Sequence, residues 1–282
     1  MKKIVGYGQL DTKFGDVETN LRSLEKMVQS TRADLLVFPE LGLTGYDFNN
    51  AEEVREYAEP FETGPTSEAL RRLSAESGTT IVLGYPESTS SGCYNSCMLA
   101  TPHGELHNYR KAHLYSRENL LFLPGDAPPP VVETPSGRIG LMICFDWFFP
   151  EMARILALRG AQIIAHPSNL ILPYGQRAMF ARCIENQVFA ITANRIGTES
   201  RAGRTLTFTG ESQVLDPKGT RLVSAPVDGE HLGVTEIDPE LADNKAINEF
   251  NDLFENRRLD LYEDVLDPHL NRSSTNTMKF EL

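Results

Sequence analysis

Residues 139–151 read IGLMICFDWFFPE, a stretch that joins a strand directly to the start of a helix. Its first half is continuously apolar, and Pro150 stands where a helix would have its first turn. The strand delivers Cys144 close to that helix N-terminus, whose partial positive charge lowers the pKa of a thiol. The stretch alone leaves two interpretations open: a core residue on the same face as Met142, or a nucleophile.

Strand-like and helix-like segments alternate on both sides of this stretch. Apolar, β-branched runs predict strands at residues 3–10, 34–40, 79–87, 94–100, 105–111, 138–146, 161–169, 188–197, 211–216 and 231–238. Helical spacing of apolar residues predicts helices at residues 16–32, 65–77, 150–159 and 174–187. Many strands with helices between them predict a layered α/β or α+β fold.

Two segments of the chain resemble each other weakly. Aligning ADLLVFPELGLTGY (33–46) with AQIIAHPSNLILPY (161–174) places Pro39 on Pro167 and ends both segments in tyrosine. Two explanations of this weak match are open, namely chance and an internal repeat. A repeat would predict two similar halves that pack sheet against sheet.

The distribution of loops predicts one domain. The proline-rich segment PGDAPPP (124–130) is expected to be a surface loop rather than a linker, because similar strands continue on both sides of it. Polar residues dominate after about residue 262, as in NRSSTNT (271–277). We therefore expect a single domain over residues 1–262 and a C-terminal tail, 263–282, that is mobile or packed on a partner subunit.

Composition restricts the classes of partner. The 282 residues carry a formal net charge of -12, which argues against a nucleic acid or an anionic membrane surface as partner. No apolar run approaches the roughly 20 residues that span a bilayer, and the N-terminal residues lack a signal-peptide core. The four cysteines are expected to be free thiols, and the sequence predicts a cytoplasmic protein.

Two further predicted strand ends deliver charged residues. Glu40 ends the predicted strand DLLVFPE (34–40). Three roles are open for it: a general base in an apolar setting, a helix cap, or the partner of an arginine. Lys111 ends the predicted strand ELHNYRK (105–111). It is expected to be either a solvated surface lysine or, if it points inward, a cation that stabilises an oxyanion. With Cys144 they form the acid, cation and thiol set that acyl transfer through a thioester requires.

The order FPELGLTGY, YRKAHL and ICFDWFFPE is similar to the nitrilase superfamily of carbon-nitrogen hydrolases, whose Glu, Lys and Cys occur in this order at strand ends. The resemblance runs from Met1 to about Tyr262, includes RCIENQVFAITANRIG (182–197), and is strongest to the archaeal-type nitrilase and aliphatic amidase branch. It implies a four-layer α-β-β-α sandwich that dimerises. A homodimer or higher homo-oligomer is therefore expected.

The resemblance also implies a role for each matching residue. Glu40 would be the base, Lys111 the stabiliser of the oxyanion, and Cys144 the nucleophile. Glu118 would be the second acid, which orients Lys111 or the substrate, and the backbone N–H of Phe145 would complete the oxyanion hole. This chemistry uses no metal and no organic cofactor.

The residues after the cysteine bear on the substrate. Relatives that hydrolyse N-carbamoyl amino acids often carry arginines three and four residues after the cysteine, where this chain has Trp147 and Phe148. These two residues are expected to form an apolar wall, and Asn169 either lines the pocket or caps a turn. The sequence thus predicts an amidase for a small neutral or aliphatic amide. The alternatives are a nitrilase, then an N-carbamoyl amide hydrolase, or a catalytically silent binding member of the fold.

A zinc site is the competing chemistry, because Cys93, Cys97, His103 and His107 form CxxxC and HxxxH patterns. Along a strand, however, four residues advance about 13 Å. Two thiolates on one zinc lie within about 4 Å of each other. We therefore expect a hairpin with ordinary polar residues there and no metal. Asp146 is assigned no role beyond a cap for the helix that follows it.

Overall fold

The protein is described over residues 1–266 by a computed structural model. Its contacts divide the chain into two units, Met1–Asn244 and the part that begins at Lys245. The strands are β1 (Lys3–Gln9), β2 (Leu35–Val37), β3 (Thr80–Thr89), β4 (Gly92–Ala100), β5 (Leu106–Arg110), β6 (Val131–Thr134), β7 (Gly137–Leu141), β8 (Ile163–Pro167), β9 (Phe189–Ala193), β10 (Thr198–Arg201), β11 (Arg204–Thr207), β12 (Gln213–Leu215), β13 (Arg221–Ser224), β14 (His231–Ile237), β15 (Ala246–Asn248) and β16 (Asn251–Asp252). The helices are α1 (Val17–Gln29), α2 (Ala51–Tyr57), α3 (Pro65–Ser77), α4 (Glu118–Leu121), α5 (Pro150–Leu158) and α6 (Gly175–Asn186).

Two six-stranded sheets form the first unit, with strand orders β14-β1-β2-β3-β4-β5 and β13-β12-β9-β8-β7-β6. Three adjacent strands run parallel in each sheet, β1-β2-β3 and β7-β8-β9. The remaining pairings within these sheets are antiparallel. Both sheets therefore share one pattern of strand directions, in which β2 corresponds to β8. These strands lie in the weakly similar segments 33–46 and 161–174, so the topology supports two similar halves.

Helices cover the outer face of each sheet. α1 packs on α3 and α3 on the first sheet, whereas α5 and α6 pack on each other and on the second sheet. Side chains such as Leu24, Leu36 and Leu70 fill the space between the first sheet and its helices. The sheets face each other through β1, β2 and β3 on one side and β8, β9 and β12 on the other. The α-β-β-α layering expected from the sequence is confirmed.

The four predicted helices are present as α1, α3, α5 and α6 with small changes at their ends. α3 begins at Pro65 and ends at Ser77, and the following Gly78 caps it with a φ of 70°, in the left-handed region that favours glycine. The segment 124–130 is an irregular and largely exposed loop, as expected. The sequence prediction lacks α2, α4, β6, β10, β11, β13, β15 and β16. The β10 and β11 strands, TESR and RTLT, are almost entirely polar, so they show no apolar run.

The unit that begins at Lys245 contains a short hairpin of β15 and β16. Two 3-10 turns follow it, at Leu259–Leu261 and Glu263–Leu266. Most of the tail expected at 263–282 lies outside the described residues. The single domain over 1–262 and the homodimer stay predictions. Within residues 1–266, no helix is long and apolar enough to cross a membrane.

Candidate active site

Three charged side chains meet inside the first unit. Lys111 Nζ donates to Glu40 Oε1 at 2.6 Å and to both carboxylate oxygens of Glu118 at 2.8 Å. Glu40 and Lys111 are fully buried, and Glu118 is 3% exposed. The structure thus brings together three of the residues that the sequence predicts for the site.

The pKa values of this cluster follow from burial and mutual charge. Burial acts to lower the pKa of Lys111, but Glu118 and then Glu40 outweigh it, so that this pKa is raised. Burial raises the pKa of Glu118, with Lys111 opposing and Glu40 adding to the rise. Lys111 therefore stays a cation at neutral pH and serves as a fixed positive charge.

The backbone around Glu40 is fixed by contacts with β3. The strand β2 ends at Val37, so Glu40 lies three residues beyond it rather than at its last position. Gly84 N donates to Pro39 O, and Gly42 N donates to Gly84 O, both at 3.0 Å. A Cβ at Gly84 would lie 2.4 Å from Glu40 Cα, so this close approach requires glycine.

Asn95 joins Glu40 to Lys111. It lies in β4, is fully buried, and donates from Nδ2 to Glu40 Oε1 at 2.7 Å. Its backbone carbonyl accepts the N–H of Lys111 at 2.8 Å. Asn95 is missing from the sequence prediction. The available signal was an amide inside the largely apolar strand YNSCMLA (94–100), because a buried polar group needs a partner.

Two tyrosines hold Glu118, and the sequence prediction includes neither. Glu118 begins α4, where its Oε1 accepts from Tyr46 OH at 2.6 Å and its Oε2 from Tyr115 N at 3.2 Å. Burial, and after it the charge of Glu118, raises the pKa of Tyr46 well above its ordinary value. Tyr46 therefore remains a protonated donor to this carboxylate.

A buried ion pair fixes the loop that carries Tyr46. The carboxylate of Glu199 accepts the backbone N–H of Tyr46 at 3.2 Å and that of Asp47 at 2.7 Å. Arg195 donates to Glu199, and its guanidinium lies 4.2 Å from the centroid of the Phe208 ring. The pair therefore sets the position of Tyr46 and, through it, that of Glu118.

Cys144 occupies a strained backbone position. It begins the 3-10 turn Cys144–Phe148 with a φ of 39°, in the left-handed region. Such a conformation costs a residue other than glycine about 1 kcal/mol or more, and it is found most often at functional sites. The strand β7 ends at Leu141, so the thiol lies in a turn beyond the strand and is 6% exposed.

The pKa of Cys144 contradicts the sequence prediction. Burial raises the pKa of this thiol well above its ordinary value, and Glu40 raises it further. Lys111 and the backbone N–H of Asn169 act in the opposite direction with less effect. The predicted lowering was wrong because the thiol is buried beside carboxylates, whose combined effect on the pKa exceeds that of a nearby helix start. The thiol is therefore protonated at rest.

Asp146 ties the turn of the thiol to the loop after Lys111. It is fully buried, and its Oδ2 accepts from Ile143 N at 3.0 Å and from Tyr109 OH at 2.8 Å. Its Oδ1 accepts from His113 N at 3.1 Å and lies 2.8 Å from His113 Nδ1. Asp146 thus caps its own turn, whereas the sequence suggested a cap for the helix that follows.

His166 holds the backbone carbonyl of Cys144. Its Nε2 lies 2.9 Å from Cys144 O, and its Nδ1 lies 3.1 Å from Thr192 Oγ1. A carbonyl only accepts, so Nε2 carries the proton and Nδ1 accepts from the hydroxyl. Burial lowers the pKa of His166 to about 4, so the ring is neutral. This bond supports the strained turn, and the sequence prediction lacks it.

His166→Gln is expected to reduce the pH dependence of stability. The pKa of His166 falls from 6.5 to about 4 on folding, so the unfolded chain is protonated first as the pH drops. The unfolding free energy therefore decreases between about pH 6.5 and about pH 4, by up to about 3 kcal/mol for this group. Denaturant unfolding at both ends of this range measures the slope. His103→Gln, at an exposed position, is the control, and an unchanged slope in His166→Gln would contradict the assignment.

A small cavity opens beside the thiol. Its lining consists of Tyr115, Cys144, Phe145, Trp147, Asn169, Leu170, Ile171 and Leu172. About 20 Å³ is open to the centre of a water-sized sphere, and roughly 10–15 Å³ holds one water molecule. Of the residues expected near the substrate, Phe145, Trp147 and Asn169 line this cavity. Phe148 does not belong to the lining, and it is 48% exposed.

The remaining cysteines lie away from this cavity. Cys93 and Cys97 lie on one strand, β4, which pairs with β3 and β5 in antiparallel hairpins. All four cysteines are free thiols, as predicted. In the described part of the chain, no group of three or more His, Cys, Asp or Glu residues could hold a metal ion.

Comparisons with known proteins identify relatives along most of the chain. A family model described as carbon-nitrogen hydrolase matches residues 4–246. A nitrilase of Pyrococcus abyssi is 42% identical over 261 residues, which cover 92% of this chain and 98% of that protein. An (R)-stereoselective amidase of a Pseudomonas species is 37% identical over 256 residues, covering 89% of this chain and 90% of that protein.

A solved structure agrees with the fold. A variant of the amidase from Nesterenkonia sp. AN1 superposes with a TM-score of 0.77 at 27% identity, covering 94% of this chain and 97% of that chain. It shows covalent addition of the acetamide moiety of fluoroacetamide at the active-site cysteine of that amidase. With the layered fold and the family match over residues 4–246, the chain belongs to the carbon-nitrogen hydrolase family and is an enzyme of the nitrilase superfamily.

Proposed function

We propose that the protein is an amidase that converts a small neutral primary amide to a carboxylic acid and ammonia through a thioester on Cys144. One observation carries the proposal. Glu40 Oε2 and Asn169 Oδ1 are buried acceptors that have no hydrogen-bond partner within residues 1–266. A buried acceptor without a donor costs roughly 1–3 kcal/mol, and a substrate N–H would remove this cost.

These two acceptors favour an amide over a nitrile. The leaving group of a primary amide carries two N–H donors, whereas a nitrile carries none. A site built to pair with a donor rejects an analogue that lacks it, because its own polar groups then stay unpaired. The identity of Asn169 Oδ1 follows from its neighbour, because Nδ2 donates to Glu40 O at 2.9 Å and a carbonyl only accepts.

The first half of the proposed reaction forms the thioester. Glu40 takes the proton of the Cys144 thiol, and the thiolate attacks the carbonyl carbon of the amide. Lys111 and the backbone N–H of Phe145 stabilise the negative charge on the former carbonyl oxygen. Glu40 returns the proton to nitrogen as the C–N bond breaks, so that ammonia leaves and the acyl group stays on sulfur.

Water completes the cycle. Glu40 takes a proton from water as the water oxygen attacks the thioester carbon, and the same donors stabilise the oxyanion. The C–S bond then breaks, the thiolate regains a proton from Glu40, and the carboxylic acid leaves. The acetamide adduct on the active-site cysteine of the Nesterenkonia amidase supports Cys144 as the nucleophile.

The lining of the cavity supports a small neutral acyl group. Trp147, Leu170, Ile171 and Leu172 supply apolar surface. Among the described residues that line the cavity, none is lysine, arginine or histidine. A substrate carboxylate therefore has no cation to pair with there. This lining favours a simple amide over an N-carbamoyl amino acid.

A nitrilase is the second candidate. The Pyrococcus abyssi relative favours it, because that protein is named a nitrilase and is 42% identical to this chain. The same residues suit addition of the thiolate to a nitrile carbon, which gives a thioimidate. The two candidates differ in whether the reacting nitrogen carries hydrogen in the substrate.

Ammonia release from an amide and from the nitrile and N-carbamoyl compound of matched size tests the proposal. We expect the amide to be hydrolysed fastest. In Asn169→Ala, kcat/KM for the amide is expected to fall about tenfold more than for the nitrile or the methyl ester of the same acyl group, because neither of these carries an N–H.

Leu172→Ala is the matched control, since it changes the same cavity without removing an acceptor. It is expected to affect all substrates by a similar factor. Hydrolysis of the nitrile but not of the amide by the unmodified enzyme would replace the proposal with the nitrilase. An equal loss of kcat/KM for the amide and for the ester in Asn169→Ala would show that Asn169 has a purely structural role.

A further inference from the structure

The two oxygens of Glu40 have very different surroundings. Oε1 accepts from Lys111 Nζ at 2.6 Å and from Asn95 Nδ2 at 2.7 Å. Oε2 is buried and has no partner in the described part of the chain. An ionised carboxylate oxygen offers about two acceptor positions. Oε1 is therefore fully occupied, and the free lone pairs of the group all belong to Oε2.

Asn95 produces this difference from a rigid position. It lies in the middle of β4, opposite Pro86 of β3, and is fully buried. Its backbone carbonyl accepts the N–H of Lys111 at 2.8 Å. The orientation of its amide is fixed, because a carboxylate oxygen only accepts and therefore faces Nδ2. One residue thus contacts Glu40 through its side chain and Lys111 through its backbone.

We infer that Asn95 is a positioning residue. It leaves Oε2 of Glu40 free for proton transfer and fixes the position of Lys111 relative to Glu40. The inference rests on the proposed role of Glu40 as the base. Lys111 alone would not fix the orientation of the Glu40 carboxylate, because the last torsion of a glutamate side chain is broad and roughly two-fold. Asn95 removes this freedom by adding a second donor to Oε1.

Loss of the Asn95 donor has one expected effect. The carboxylate can rotate, so the accepting oxygen is displaced, and a displacement of about 1 Å can cost roughly 100-fold in rate. The loss is expected in kcat rather than in KM, because Asn95 contacts Glu40 and Lys111 and is not among the residues that line the cavity.

The test uses a pair of variants that differ in one hydroxyl. Asn95→Val has no side-chain donor, whereas Asn95→Thr has nearly the same shape and restores one. We expect kcat of Asn95→Val to fall about 100-fold with KM changed less than about threefold. Asn95→Thr is expected to recover at least about tenfold of the lost rate, since it supplies a donor again.

Asn108→Val is the matched control. Asn108 lies on the neighbouring β5, and its Nδ2 donates to Glu87 Oε2 at 2.8 Å, which is the same kind of bond away from the thiol. This variant is expected to keep the kcat of the unmodified enzyme. Circular dichroism and thermal unfolding establish that each variant is folded, and Asn95→Ala against Asn95→Ser replaces the pair if the valine variant is not.

A second readout does not depend on amide hydrolysis. Iodoacetamide alkylation of Cys144, followed by intact mass against pH, depends on removal of the thiol proton. Asn95→Val is expected to slow it about tenfold near neutral pH, and Asn108→Val to leave it unchanged. If Asn95→Val is alkylated more slowly while neither the unmodified enzyme nor any variant hydrolyses an amide, the inference is supported and the proposed amidase is rejected. Equal alkylation rates and equal kcat values in Asn95→Val and the unmodified enzyme overturn it.

Discussion

Cys144→Ala and Cys144→Gly should both release no measurable ammonia from any amide while they remain folded. Without the thiol no thioester forms, and the charged cluster alone has no nucleophile to activate. The relative stability of the two variants should differ from that of the same substitutions at an ordinary strand position. Because φ is 39° here, glycine relieves strain that alanine keeps. Cys144→Gly should therefore be no less stable than Cys144→Ala, although it buries one carbon fewer.

Ammonia assays, denaturant unfolding and intact mass check this result. The unmodified enzyme should show an acyl adduct on Cys144 during turnover, and both variants should show none. Cys183→Ala is the control, because Cys183 is another buried thiol, on α6. It should lose stability but keep the adduct and the activity. Amide hydrolysis that persists in Cys144→Ala would eliminate the proposed nucleophile.

Lys111→Gln should lower the rate at least about 100-fold, because it removes the cation that stabilises the oxyanion. It should also lower the unfolding free energy by about 3–5 kcal/mol, since it leaves Glu40 and Glu118 buried without their shared partner. Lys218→Gln, at an exposed position, should change neither quantity. A folded Lys111→Gln with an unchanged rate would contradict the role proposed for Lys111.

The stability of Lys111→Gln should also depend on pH in a defined direction. The pKa of Glu118 is already raised by burial despite Lys111, and it should rise further without Lys111. The folded state then keeps a proton that the unfolded chain has released. Its unfolding free energy should therefore fall as the pH rises from about 4.5 towards that raised pKa. Urea unfolding of both proteins at several pH values measures the difference.

The sequence predicts the meeting of Glu40, Lys111 and Cys144 because each follows a strand-like run, strongly apolar before Glu40 and Cys144 and mixed before Lys111. Such runs identify strands locally, and the structure ends β2, β5 and β7 shortly before these residues. Glu118 comes from the resemblance alone. Its setting in a four-residue helix, α4, has no periodic pattern to reveal it.

The supporting residues escape the prediction because their partners are distant in sequence. Asn95 contacts Glu40, and Tyr46 contacts Glu118, only through the register of the first sheet and the path of the loop after β2. The same limit explains the wrong direction predicted for the pKa of Cys144. Proximity to a helix start is visible in the sequence, whereas complete burial beside two carboxylates depends on both sheets.

The shared strand pattern of the two sheets has a consequence for the newly made chain. Glu40 follows β2 of one sheet, and Cys144 follows β7 of the other. Across the gap, Asn169, after β8, donates to Glu40 O at 2.9 Å. A chain whose two sheets have not yet docked therefore holds Cys144 apart from Glu40. The pairing of thiol and carboxylate on which the proposed reaction depends is made only when the two halves of the molecule come together.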